Sequence, residues 1–79
     1  MAITRGTIYS LTLLGNQSIV VLNDASGHPQ PAQTLMNTHG NYNTMMASIL
    51  LASANKYQVE LSADSSGIDW IRVYVQTPP

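Results

Sequence analysis

The chain has 79 residues and no cysteine, and only 9% of its residues are Asp, Glu, Lys or Arg. A domain of this length buries only about 60 to 65% of its unfolded surface, so its core needs support from disulfides, a metal or oligomerisation. The absence of cysteine excludes disulfides and thiolate metal sites. Self-association is therefore the natural expectation.

Neutral side chains supply most of the polar surface, since 26 residues are Asn, Gln, Ser or Thr. These groups hydrogen-bond well and desolvate more cheaply than charges, which suits protein interfaces and carbohydrate contacts. A net charge of −1 gives a monomer little self-repulsion to keep it soluble. The basic residues Arg5, Lys56 and Arg72 are too few to neutralise many phosphates, so no nucleic-acid partner is expected.

No apolar run approaches the roughly 20 residues of a membrane-spanning helix, so no membrane insertion is expected. The opening Met-Ala-Ile-Thr-Arg lacks the basic start and apolar stretch of a signal peptide. As written, the chain is expected to be soluble, and it would be secreted if a signal peptide had been removed. Its compartment stays open.

The first half of the sequence indicates strands. Residues 3–14 alternate well enough to form a long strand. This alternation predicts one face made of Tyr9, Leu11 and Leu13.

A hairpin and a loop follow this strand. The turn-forming pair Gly15-Asn16 stands before the β-branched run of residues 18–22, which predicts a β-hairpin. Residues 23–31 gather most turn-forming residue types and predict an exposed loop. Residues 32–36 are short and predict a third strand.

A helix is predicted from Asn43 to Lys56, with Asn41 or Asn43 as its N-cap. Its apolar side chains cover more than one face, and no charge precedes Lys56. We expect one side to pack on the sheet and the other to contact neighbouring subunits; packing in the core alone and a ligand groove are the alternatives. The expected intersubunit contacts are Met45, Ile49 and Leu51.

Two strands complete the chain. Residues 57–62 alternate as a half-buried strand, and residues 63–67 form a turn. Residues 68–76 form the last strand, which residues 77–79 end. One face of it carries Ile71, Val73 and Val75, and the other carries Trp70, Arg72, Tyr74 and Gln76.

If the aliphatic face of the last strand fills the interior, the face with Trp70, Arg72 and Tyr74 points outward. Aromatic and Arg side chains anchor interfaces or stack on sugar rings. A subunit interface, packing against the sheet's own neighbours and a ligand-contacting surface are all open for this face.

The element order predicts one mainly β (α+β) domain over residues 1–79. Five strands with one helix between strands 3 and 4 are the layout of a small antiparallel OB-fold-like barrel. Three segments carry a more specific likeness: Gly6-Thr-Ile-Tyr9, Asn41 to Ala52, and Tyr57-Gln-Val-Glu-Leu61. Together with Gly15 and Ile19-Val-Val-Leu22, they make the chain resemble the pentameric B subunits of bacterial AB-type toxins, especially the subtilase-cytotoxin-like branch.

The resemblance implies a ring of five subunits, helices facing a central channel, and sugar binding on the exposed barrel surface. The chain departs from those proteins in lacking a disulfide. It also has Arg5 before Gly6, where the sialic-acid binders have a serine.

No catalytic chemistry is indicated by the sequence. His28 and His39 lie in separate loops whose spacing matches no metal-ligand motif, so no metal or cofactor is expected. The chain lacks a nucleophile elbow, and no pattern brings two carboxylates together. An enzyme is therefore not expected.

The predicted function is a non-catalytic homo-oligomeric binding subunit, most simply a pentamer, that recognises a glycan. A structural or assembly ring protein without sugar binding is the alternative. The candidate ligand-binding residues are Arg5, Trp70, Arg72 and Tyr74.

Overall fold

A computed structural model describes residues 2–76 of the chain; the strand-ending segment predicted at residues 77–79 lies outside this range. It contains five strands and one helix in the predicted order. They are β1 (Ala2–Leu13), β2 (Gln17–Asn23), β3 (Gln33–Met36), α1 (Tyr42–Asn55), β4 (Gln58–Asp64) and β5 (Gly67–Tyr74). The predicted fold class, a small antiparallel β-domain with a helix between the third and fourth strands, is confirmed.

The strands form one antiparallel sheet in the order β3-β2-β1-β4-β5. Strand β1 is long enough to pair with β4 through residues 2–7 and with β2 through residues 7–13. The sheet curls, because β3 and β5, at opposite ends of this order, pack against each other. Curling of this kind gives the strand arrangement of an OB-fold-like barrel.

Glycine permits the contact between β3 and β5. Gly67 has a φ of 106°, and a Cβ atom there would lie 2.6 Å from the main-chain oxygen of Thr34. In the central strand β1, a Cβ atom on Gly6 would overlap the main-chain oxygen of Asn23 on the neighbouring β2 at 1.8 Å. Both positions therefore need a residue without a side chain.

A β-bulge in β1 changes the predicted alternation of that strand. Ile8 pairs with Leu22, whereas the next partner along β2 pairs with Ser10, so Tyr9 is the extra residue. Ile8 and Leu11 both pack against the core, and Tyr9 is exposed. The prediction that Tyr9 and Leu11 share a face was wrong, because one inserted residue shifts the period of 2.

The core lies between the curled sheet and one face of α1. Its buried apolar residues are Val20, Leu22, Leu35, Met45, Ile49, Ala52, Val59, Leu61, Ala63 and Ile68. Met45, Ile49 and Ala52 follow one another at helical spacing, so α1 closes the core with this face.

The ends of α1 are fixed by polar contacts. The hydroxyl of Tyr42, its first residue, lies 3.0 Å from the hydroxyl of the fully buried Ser18 on β2. Asn41, one of the two predicted N-cap residues, occupies that position, but its side chain does not make the predicted capping hydrogen bond. Lys56 ends the helix in the left-handed conformation, and its main-chain N–H donates to the oxygen of Ala52.

Candidate ligand-binding site

The outer surface of β1, β4 and β5 carries a row of charged side chains. Glu60 of β4 lies between Arg5 of β1 and Arg72 of β5 in the pairing of the three strands. Its neighbours Val59 and Leu61 face the core, so Glu60 and both arginines project from the outer face. Arg5 and Arg72, which are 55 and 12 positions away from Glu60 in the sequence, thus become its direct neighbours.

Glu60 is the centre of this row, and its side chain is only 5% exposed. Arg5 donates a hydrogen bond from Nε to Oε2 of Glu60, and Nη1 of Arg72 lies 3.7 Å from Oε1. A buried carboxylate needs such partners, because an unpaired charge in the interior is strongly unfavourable. The two guanidinium groups remain 68% and 62% exposed, so they present further N–H donors to solvent.

Aromatic side chains border this row on β5. The guanidinium carbon of Arg72 lies 5.8 Å from the centre of the Trp70 ring, within the range of a cation–π contact. Tyr74 follows on the same face and pairs with Gln58 of β4. The side chain of Tyr74 and, after it, the charge of Glu60 raise the pKa of Arg72, so this guanidinium stays protonated.

These side chains together are called the outer platform below: Arg5, Glu60, Trp70, Arg72 and Tyr74. The four residues predicted to bind a ligand, Arg5, Trp70, Arg72 and Tyr74, all belong to it. Glu60, which connects the two arginines, is not among the site residues predicted from the sequence. The register between β1, β4 and β5 gives it its importance, and a local pattern cannot show that register.

A cleft of about 730 Å³ opens beside the platform. It lies between residues 5–7 of β1, the loop that follows β2, residues 55–58 at the end of α1, and residues 74–76 at the end of β5. Arg5 and Tyr74 line the cleft and also belong to the platform. The two features therefore meet along a common rim.

The loop that forms one wall of the cleft is held by its own hydrogen bonds. Oδ1 of Asp24 accepts from the main-chain N–H groups of Ser26 at 2.9 Å and of His28 at 3.0 Å. The bond from His28 is the main cause that lowers the pKa of Asp24. Nε2 of Gln30 donates to the main-chain oxygen of Arg5 at 2.7 Å, which attaches the loop to β1.

Of the three residues predicted to contact other subunits, two are buried and one is exposed. Met45 and Ile49 lie in the core, because the face they share packs on the sheet. A contact with another subunit through these two side chains is therefore excluded in this fold. Leu51 is 48% exposed, and its neighbour Leu50 is 51% exposed, so the free face of α1 carries these two residues.

Within residues 2–76, no group of three or more His, Cys, Asp or Glu side chains is arranged to hold a metal ion. His28 approaches Asp24 at 3.9 Å, and His39 contacts main-chain atoms. In the same range, no helix has the length and apolar character needed to cross a membrane. Comparison of the chain with protein-family models, curated proteins and solved structures gives no match.

Proposed function

We propose that the protein is a non-catalytic glycan-binding subunit that works as a homo-oligomer, most simply a pentameric ring. The observation that carries the proposal is the cross-strand contact of Arg5 and Arg72 with the buried Glu60, beside Trp70. The carboxylate holds two exposed guanidinium groups in fixed positions next to an aromatic ring. Fixed donors beside an aromatic ring suit a sugar, which offers hydroxyl oxygens and an apolar ring face.

The chemistry of each group matches part of a sugar. The face of Trp70 can stack on the C–H groups of a pyranose ring, and the guanidinium groups can donate to hydroxyl oxygens. Because Glu60 already orders Arg5 and Arg72, less side-chain entropy is lost when a ligand binds. Asp24 is the carboxylate that lines the neighbouring cleft, and it is engaged by loop N–H groups, which supports binding rather than acid–base catalysis.

The homo-oligomer is supported by the free face of α1. The helix contains no charged residue, and Leu50 and Leu51 are each about half exposed. Complete burial of a Leu contributes roughly 1.5 to 3 kcal/mol, so about half of that is still available at each position. The number five comes from the resemblance to toxin B subunits.

A glycan array tests the binding function, with the protein applied at micromolar concentration. Reproducible hits that Trp70→Ala weakens by on the order of 2 kcal/mol, as loss of an aromatic anchor does, are expected. Tyr9→Ala is the matched control, because Tyr9 is an exposed aromatic outside the platform. An array without hits, or equal losses in the two variants, would contradict the proposal.

The alternative is a ring protein with a purely structural role. The observation that favours it is the exposed Leu residues of α1, which can form subunit contacts whether or not a sugar binds. A silent array together with an oligomeric mass under native conditions would support this alternative.

A further inference from the structure

We infer that the outer platform and the cleft are two subsites of one site, and that the ligand is an oligosaccharide extending from Trp70 past Tyr74 into the cleft. The inference rests on the proposed function, and it adds the size and the direction of the glycan. Its basis is that Arg5 and Tyr74 each belong to both features.

The length of the site excludes a single sugar unit as its full occupant. Trp70 and Tyr74 are four residues apart on β5, which corresponds to roughly 13 Å along an extended strand. One pyranose ring stacked on Trp70 cannot also enter the cleft beyond Tyr74. A chain of several units can contact both, and its middle part would pass the guanidinium of Arg72 between the two aromatic residues.

The cleft has the size and the polarity for the far end of such a chain. Its volume of about 730 Å³ lies within the range of roughly 300 to 1,000 Å³ that is typical of sites for small organic ligands. Asn55, Gln58 and Gln76, which carry side-chain amides, are among its lining residues. An amide both donates and accepts hydrogen bonds, as a sugar hydroxyl does, so neutral sugar units fit this lining.

The cleft is also held in shape before any ligand arrives. Gln30 attaches the loop wall to Arg5, and Asp24 closes the loop on Ser26 and His28. Arg5 is thus fixed through its main-chain oxygen by Gln30 and through its side chain by Glu60. A preformed cavity favours affinity, because little ordering remains for the ligand to induce.

The experiment uses immobilised glycans of one to five units built on galactose, N-acetylglucosamine and mannose, followed by calorimetry on the positive series. Affinity should rise at least about tenfold from one unit to the longest glycan, which corresponds to roughly 1.4 kcal/mol. Gln58→Ala should weaken the longest glycan about fivefold, the effect of one lost hydrogen bond. The effect of Gln58→Ala should shrink as the glycan is shortened.

Gln33→Ala is the control, because Gln33 lines a separate cavity with Ser65 and Gly67 and takes no part in the site. Amide chemical shifts of the unmodified protein provide a second readout that needs no variant. The longest glycan should shift the amides of Gly6 and Trp70 together.

Affinity that is independent of length, or shifts confined to one subsite, would overturn the two-subsite inference and leave glycan binding intact. If none of the glycans binds at any length, the proposed function fails, and this inference fails with it.

Discussion

Nε2 of His39 lies 2.9 Å from the main-chain oxygen of Asp69, which belongs to a strand 30 residues further along the chain. The main-chain N–H of Asn41 donates to Nδ1 of the same ring at 3.0 Å, so Nε2 carries the hydrogen and donates to Asp69. Asp69 is the extra residue at the register shift between β4 and β5. His39 therefore connects the turn before α1 to the irregular part of β5.

His39→Ala should lower the free energy of unfolding by about 1 kcal/mol, because two hydrogen bonds of the imidazole are lost and water replaces part of them. His28→Ala is the matched control, since the imidazole of His28 is exposed and its main-chain N–H is retained. Its effect should stay within about 0.5 kcal/mol. Urea unfolding of both variants measures the difference, and equal effects would contradict the role of His39.

Gly67→Ala should be among the more harmful single substitutions in this chain. A Cβ atom would meet the main-chain oxygen of Thr34, and the φ of 106° is unfavourable for any residue with a side chain. We expect a loss of about 2 to 4 kcal/mol in unfolding free energy.

Gly15→Ala provides the comparison for this variant, because nothing lies within 4 Å of a Cβ atom at Gly15. Its effect should be small, or slightly stabilising through the unfolded chain. If urea midpoints of the two variants coincide, the contact of β3 with β5 does not depend on glycine.

Leu51→Glu should dissociate the proposed oligomer and leave each subunit folded, because it places a charge on the exposed face of α1. Asn43→Glu adds the same charge at an exposed position near the helix N-terminus, and it should leave the oligomer intact. Native mass spectrometry at micromolar concentration distinguishes the two, with circular dichroism to verify folding. A monomeric mass for the unmodified protein would refute the oligomer itself.

Met45→Glu makes a different prediction from Leu51→Glu. Met45 is in the core, so a buried, unpaired carboxylate there should unfold the subunit. A folded monomer from this variant would mean that the helix packs with another face than the one described.

Acid should weaken the loop that forms the cleft wall. The hydrogen bond from His28 lowers the pKa of Asp24 in the folded protein, so the carboxylate stabilises the fold above its unfolded pKa of about 3.9. This contribution is lost as the pH falls through the lower, folded value. Asp24→Asn keeps an oxygen acceptor but cannot titrate in this way.

The stability difference between the unmodified protein and Asp24→Asn should therefore shrink as the pH is lowered from 6 to about 3. Urea midpoints of the two proteins, taken at the higher and the lower pH, measure this difference. A difference that is constant with pH would show that the charge of Asp24 does not contribute.

The order of elements followed from local patterns in the sequence. Alternation in residues 68–76 separated Ile71 and Val73, which pack against the core, from Trp70, Arg72 and Tyr74, and the structure has the same separation. These signals are reliable because burial on one side of a strand repeats with a period of 2.

Two features could not be predicted from such local patterns, for physical reasons. The helix has no charged residue before Lys56, so its sequence only weakly marks the face turned away from the core, and Met45 and Ile49 were assigned to subunit contacts. The role of Glu60 depends on its position opposite Arg5 and Arg72. Pairing between distant strands is set by the whole sheet rather than by the residues near Glu60.

The shared strand β1 has a consequence for folding kinetics. Its pairing with β2 closes a short hairpin loop, whereas its pairing with β4 joins residues more than 50 positions apart, such as Arg5 and Glu60. Loop closure over that separation is slow, so local hairpins form before β1 meets β4. We therefore expect Arg5 and Glu60 to come together late in folding, so partly folded chains lack the complete outer platform.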